Sequence, residues 1–125
     1  MSKNQFVFLE LRTNNLKKAR EFYTKLFGWN FNEMPMGKDV YLMIKKFGAA
    51  KDFGTGIAKN PAPKDVPSHW TPYIGVEDIE ATTKKAKKLG AKILQEIKEM
   101  PWGFSNTIVD PTGAVLSLWQ PKEEK

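Results

Sequence analysis

Residues 13–29 read T-N-N-L-K-K-A-R-E-F-Y-T-K-L-F-G-W, and the reading of this stretch decides the fold. Leu16, Ala19, Phe22, Tyr23, Leu26 and Phe27 recur three and four apart, the spacing of one helix face. Asn15 stands just before them and is a good N-cap, because its side-chain oxygen can accept an otherwise unpaired N–H of the first turn. Gly28 stands just after them, where a left-handed residue ends a helix. Upstream, Q-F-V-F-L-E-L-R (Gln5 to Arg12) is rich in apolar, β-favouring residues and reads as a strand. Downstream, W-N-F-N-E-M, V-Y-L-M-I-K-K and F-G-T-G-I-A read as three shorter strands, the last weakened by Gly54 and Gly56.

The pattern then repeats. N-P-A-P-K-D-V-P-S (Asn60 to Ser68) carries three prolines and no periodicity and reads as a linker. H-W-T-P-Y-I-G-V follows as a strand, with Pro72 suggesting an edge or bulge. Asp78 caps a helix whose apolar face is Ile79, Thr82, Thr83, Ala86 and Leu89, and Gly90 ends it. A-K-I-L-Q-E-I, F-S-N-T-I-V and A-V-L-S-L-W are three more strands, the last two joined by a D-P-T-G turn. Gly28 and Gly90 stand in register about 62 residues apart, and a fixed internal period is an architectural signal. The expected fold is therefore α+β: two βαβββ modules, residues 5–59 and 69–121, within one domain spanning 1–125. Neither half is large enough to bury a core alone. Each helix is expected on the outer face of its own sheet, with the two inner faces forming a cleft.

Composition removes several function classes. The 125 residues hold no cysteine, so there is no disulfide framework or thiolate site, which suits a reducing compartment. The N-terminus lacks a charged-then-apolar signal pattern, and no apolar run approaches the ~20 residues a membrane span needs. A cytoplasmic protein with no membrane partner is the expectation. The net charge is +6, yet only Arg12 and Arg20 are arginines, and many lysines fall on helix exteriors. Lys-rich, Arg-poor charge reads as a solvated face, because planar phosphate recognition favours Arg. Nucleic acid is not the expected partner.

The L-x-x-A-x-x-F-Y-x-x-L-F-G-W stretch (Leu16 to Trp29), V-E-D-I before the second helix and D-P-T-G-x-x-x-x-L near the end resemble the glyoxalase/bleomycin-resistance/dioxygenase group, the vicinal oxygen chelate superfamily. The likeness runs from about Phe6 to Pro121. It implies paired half-barrels around a pocket, often in dimers, so a homodimer is expected. The group includes metal-dependent lyases, isomerases, dioxygenases and resistance enzymes as well as proteins that only bind a small molecule, so the fold licenses no single chemistry. Metal-dependent members carry ligands at four cleft-facing strand positions, typically His or Glu. Matched to those motifs, three positions here are Phe8, Thr71 and Ser117. The fourth, around Gly54 to Ala58, has no His, Asp or Glu beyond Asp52 at its start. A divalent site needs converging oxygen donors or imidazoles, so the resemblance combined with these residues implies no metal and no other cofactor.

Strand alternation assigns the rest of the cleft. If Phe8 faces inward, Phe6 and Glu10 do too, while Val7, Leu9 and Leu11 pack under the helix. Thr71 and Tyr73 would face in, with Ile74 and Val76 beneath the second helix, and Val115, Ser117 and Trp119 would share the inner face of the last strand. Trp102, in M-P-W-G-F, would close over the mouth. Tyr41 would donate a hydrogen bond to a ligand or simply pack. The candidate ligand-binding set is thus Phe8, Tyr41, Thr71, Tyr73, Trp102, Ser117 and Trp119, which suits a small apolar or aromatic molecule.

Glu10 is the candidate catalytic residue. One reading makes it a general base with its pKa raised by a partly apolar pocket; the other has Arg12 or a lysine neutralise it. His69, the sole histidine, is read as a surface or capping residue, with a ligand or proton-transfer role as the alternative. The expected function is small-molecule binding in a cleft that has lost the family metal site. The alternative is a lyase, isomerase or dioxygenase with Glu10 as base or metal ligand.

Overall fold

A computed structural model describes residues 4–36, 39–44, 54–60 and 66–122. The elements run β1 (Gln5–Thr13), α1 (Leu16–Phe27), β2 (Phe31–Met36), β3 (Asp39–Ile44), β4 (Gly54–Lys59), β5 (His69–Gly75), α2 (Ile79–Lys88), β6 (Lys92–Met100), β7 (Gly103–Val109) and β8 (Val115–Pro121). This is βαβββ twice over, an α+β fold. The chain divides into two compact units, Phe8–Thr71 and Met1–Val7 with Pro72–Lys125.

In the Phe8–Thr71 unit the strand order is β2-β3-β4-β1. β1 and β4 pair in parallel from Phe8↔Gly54 to Thr13↔Lys59, while β4–β3 and β3–β2 are antiparallel. The N-cap of α1 forms as the sequence leads one to expect: Asn15 Oδ1 accepts the Lys18 N–H at 3.0 Å. Gly28 sits at φ +72° with its N–H on the Thr24 carbonyl, a left-handed position that costs glycine nothing. Leu11, Phe31, Leu42, Ile44 and Ile57 form the buried core, and Leu16, Ala19, Tyr23 and Trp29 pack on it.

The apolar face of α1 is only partly used. Phe22, Leu26 and Phe27, expected on the buried face, are exposed. The six apolar residues span an arc of about 140° at 100° per residue, wider than the ~100° stripe that suffices to face a core. Leu16, Ala19 and Tyr23 meet the sheet, and the flanking row and last turn do not. β2 also starts and ends later than expected: Trp29 and Asn30 precede it, and it runs on past Met34 to Met36. Lys45 and Lys46, expected at the end of the third strand, lie outside the described residues, as do Gly37, Lys38 and Asp52.

In the other unit the order is β5-β8-β7-β6, with β5–β8 parallel and β8–β7 and β7–β6 antiparallel. Val76, Ile79, Ile108 and Leu118 form its core, joined by Ile74, Ala86, Ile93, Phe104 and Leu116 among others. Two side chains satisfy the start of α2. Asp78 Oδ1 accepts the Ala81 N–H at 3.0 Å, and Gln120 Oε1 accepts the Ile79 N–H at 2.8 Å. Leu89, expected on the buried face, is exposed, because the helix ends at Lys88 and Gly90 turns the chain away at φ +100°. β6 runs on to Met100, past the expected end at Ile97, and β7 starts at Gly103, so Pro101 and Trp102 form a tight turn between them.

Candidate functional site

Each unit turns one sheet face toward its helix and carries a polar cluster on the opposite face. In the Phe8–Thr71 unit, Leu11↔Ile57↔Leu42 is a row on the helix side. One residue along, Glu10↔Gly56↔Met43↔Asn32 is a row on the other face, since residues paired across a sheet share a face and neighbours alternate. Phe8, Glu10 and Arg12 share that face by their spacing of two.

Glu10, Arg12 and Tyr41 are 7%, 4% and 8% exposed and form one network. Arg12 Nε donates to Glu10 Oε2 at 3.0 Å, and the Tyr41 hydroxyl donates to Glu10 Oε1 at 3.0 Å. Phe8 stacks on Tyr41, ring centroids 6.4 Å apart and planes 26° apart. Glu10 and Arg12 thus form an ion pair. The phenol makes the network more than an ion pair: both carboxylate oxygens are engaged, and the pairing offsets the cost of burying two charges.

Gly56 explains itself at this point. A Cβ there would fall on the Tyr41 ring, so the glycine that weakens β4 as a strand lets the phenol lie flat across it and reach Glu10. No sequence signal gave that approach; a glycine in a strand says only that something comes close. At the outer end of the same row lies an open hollow of about 810 Å³ lined by Trp29, Asn30, Asn32, Met34, Met43 and Ile44, with Gly28.

Thr71 is 0% exposed, and its hydroxyl has no hydrogen-bond partner among the described residues. His69, two residues earlier, places Nδ1 2.9 Å from the Pro67 carbonyl oxygen. A carbonyl only accepts, so Nδ1 is the donor in this contact.

In the other unit, Tyr73↔Ser117↔Thr107 is a row on the face opposite α2, while Ile74↔Leu118 lies on the α2 side. Thr107 Oγ1 donates to Gln95 Oε1 at 3.0 Å. Its single proton being committed, the 2.8 Å contact with Ser117 Oγ has the serine donating. Ser117 and Thr107 are fully buried, and Tyr73 is buried beside them in register. The indole of Trp119 lies over Gly103, where a Cβ would meet it and the Gln120 carbonyl. Trp102 stands exposed at the β6–β7 turn. Sequence reasoning missed Thr107 and Gln95, although the alternation of Ser105 and Thr107 along β7 was the signal available.

Among the described residues no three His, Cys, Asp or Glu side chains gather where they could hold a metal ion. No helix among them is long and apolar enough to cross a membrane.

The Glyoxalase/Bleomycin resistance protein/Dioxygenase superfamily matches residues 5–118, and the chain belongs to that superfamily. CFP32 of Mycobacterium bovis, a candidate glyoxylase, is 36% identical over 118 residues, which is 90% of this chain and 44% of CFP32. The anthracycline biosynthesis protein DauV of a Streptomyces species is 24% identical over 131 residues, 93% of this chain and 41% of DauV. The chain thus spans less than half the length of these relatives. Among solved structures, methylmalonyl-CoA epimerase from Mycobacterium tuberculosis superposes with a TM-score of 0.68 at 12% identity, covering 98% of this chain and 93% of that one. Protein BH1468 from Bacillus halodurans gives 0.69 at 12% identity, covering 99% of each. At such identities the likeness is one of fold.

Proposed function

We propose that this chain is a small-molecule-binding member of the superfamily that works without the family metal, in the cytoplasm and as a homodimer, with a small apolar or aromatic compound as ligand. The observation that carries the reading is the chemistry at the matched ligand positions. Phe8 offers a phenyl ring that stacks on Tyr41. Ser117 offers a neutral hydroxyl held by Thr107. Thr71 offers another neutral hydroxyl. These do not fit a divalent cation, which wants carboxylates or imidazoles. They do suit an uncharged ligand: the buried Thr71 hydroxyl, with no partner among the described residues, is a donor in waiting, and the thioethers of Met34 and Met43 beside the Trp29 indole adapt to an apolar shape.

A second reading, an isomerase or lyase with Glu10 as base, is favoured by the Tyr41–Glu10 hydrogen bond, which would let a phenol and a carboxylate share a proton away from water. Thermal-shift titration separates the readings. The purified protein is titrated with Ni, Mn, Zn and Fe(II), then with a library of small aromatic compounds, each on the wild-type chain and on Glu10→Gln. A ligand at a hundred times its Kd stabilises by about 2.7 kcal/mol. Binding of an aromatic compound by both proteins, with no metal shift, is the expected result. Stoichiometric metal with a clear shift overturns the reading of Phe8, Thr71 and Ser117. Turnover abolished in Glu10→Gln while binding persists favours the enzyme.

A further inference from the structure

The exposed flank of α1 is used neither by the fold nor by the candidate site. Phe22, Leu26 and Phe27 are 56%, 57% and 57% exposed, and Trp70, also within Phe8–Thr71, is 37% exposed. They form a continuous surface around Tyr23, whose ring lies 5.0 Å from Phe22, 6.2 Å from Phe27 and 5.7 Å from Trp70. With about 150–250 Å² available per large side chain, these fractions leave roughly 300–500 Å² of apolar surface open to water. A patch of that size lies within the ~300–600 Å² typical of a monomer's largest, often functional, patch. It is about half of the ~800 Å² that each partner buries in a stable interface, so the aliphatic stems of neighbouring lysines must supply the remainder.

The charges beside the patch indicate what covers it. Glu21 and Lys25 flank the Phe22–Leu26 row and pair with each other along the helix at 3.1 Å. A two-fold axis crossing α1 near Tyr23 and Thr24 reverses the helix on itself. It lays Phe22 and Leu26 of one copy over Leu26 and Phe22 of the other, and it brings Glu21 of each copy beside the partner's Lys25. Self-complementarity under a two-fold is what an isologous interface requires, and the Glu21–Lys25 pair supplies it in charge. We propose that α1, with Trp70 at its margin, is the docking face for α1 of a second copy of this chain. The proposal rests on the homodimer reading above and names its surface.

The test is sedimentation velocity on the full chain between about 1 and about 100 µM, a range that brackets a weak dimer. Wild type is expected to shift from monomer to dimer across it. Glu21→Lys and Lys25→Glu should each move that midpoint at least tenfold upward, because each places like charges opposite one another. An equimolar mixture of the two variants should recover the wild-type midpoint as a heterodimer, since every contact between position 21 of one copy and position 25 of the other then joins opposite charges. Phe22→Glu should remain monomeric throughout. Circular dichroism melts confirm that each variant is folded. A wild-type dimer indifferent to all three substitutions overturns the face and leaves the homodimer standing. A mixture that stays monomeric while wild type dimerises overturns the two-fold geometry. A wild-type chain monomeric at every concentration overturns both.

Discussion

Replacing Thr71 by valine should stabilise the protein. Valine has nearly the shape of threonine, and the exchange matters only through the hydroxyl. Thr71 is 0% exposed and its Oγ1 lacks a partner among the described residues, so folding strips water from it without return. That desolvation costs about 1–3 kcal/mol, and the added methyl contributes transfer energy of its own. A gain of about 1–2 kcal/mol is expected, which raises the Tm of a domain this size by about 4–8 °C. Thr107→Val is the internal control. The same exchange there removes the donor to Gln95 and the acceptor for Ser117 and so takes a hydrogen bond from each of two neighbours, which should cost about 1–3 kcal/mol. The assay is differential scanning calorimetry on both variants at one pH, repeated with any aromatic ligand found. Thr71→Val should then lose part of the ligand-induced shift. A Tm that falls in Thr71→Val as far as in Thr107→Val would refute the reasoning, because it would mean that the Thr71 hydroxyl is already satisfied.

Two further outcomes follow from the geometry. Gly56→Ala drives a Cβ into the Tyr41 ring and must push the phenol off Glu10, so denaturant unfolding should show a loss of about 1–3 kcal/mol; a change within about 0.5 kcal/mol would mean that the ring swings aside freely. Asp110 Oδ1 accepts from the Thr112 hydroxyl at 2.7 Å and from the Thr112 and Ala114 N–H groups at 2.8 and 3.0 Å, and these bonds, the hydroxyl first, hold its pKa below the ordinary 3.8. A carboxyl whose folded pKa is depressed contributes stability above its unfolded value and loses it as pH falls through the folded one. Asp110→Ala should therefore melt below wild type at neutral pH, with the gap closing as pH drops below 3.8; parallel melting curves down to acid would rule out the turn as its source.

The repeat, both helix starts and the division of each strand into two faces were legible because they follow from local chemistry. Asn15 and Asp78 cap where they stand, and the parity that sets Glu10 against Leu11, or Ser117 against Leu118, is fixed by the pleat. What was not legible depends on partners distant in sequence. Tyr41 reaches Glu10 across 31 positions of chain, and nothing in V-Y-L-M-I announces it. Likewise Gln120 serves the first turn of α2 from 41 positions away. The over-reading of α1 has a different origin: periodicity reports that residues share a side of a helix, not how much of that side the sheet can cover.

The two faces of each sheet also explain how this fold can change chemistry cheaply. The cores, Leu11–Leu42–Ile57 in one unit and Val76–Ile79–Leu118 in the other, lie on the helix sides. Phe8 stands with Glu10 and Arg12, and Ser117 with Tyr73 and Thr107, on the opposite sides. A substitution there alters a donor or an acceptor without opening a cavity in the core, the costliest common class of damage. The constraint that does hold on those faces is polar satisfaction. Glu10 could not become apolar alone, because Arg12, buried with it, would lose the carboxylate it is paired with, and breaking a buried pair from one side costs about 3–5 kcal/mol. An apolar residue at position 10 therefore calls for a matching change at Arg12, whereas an apolar residue at Thr71, whose hydroxyl answers to no side chain among the described residues, calls for none.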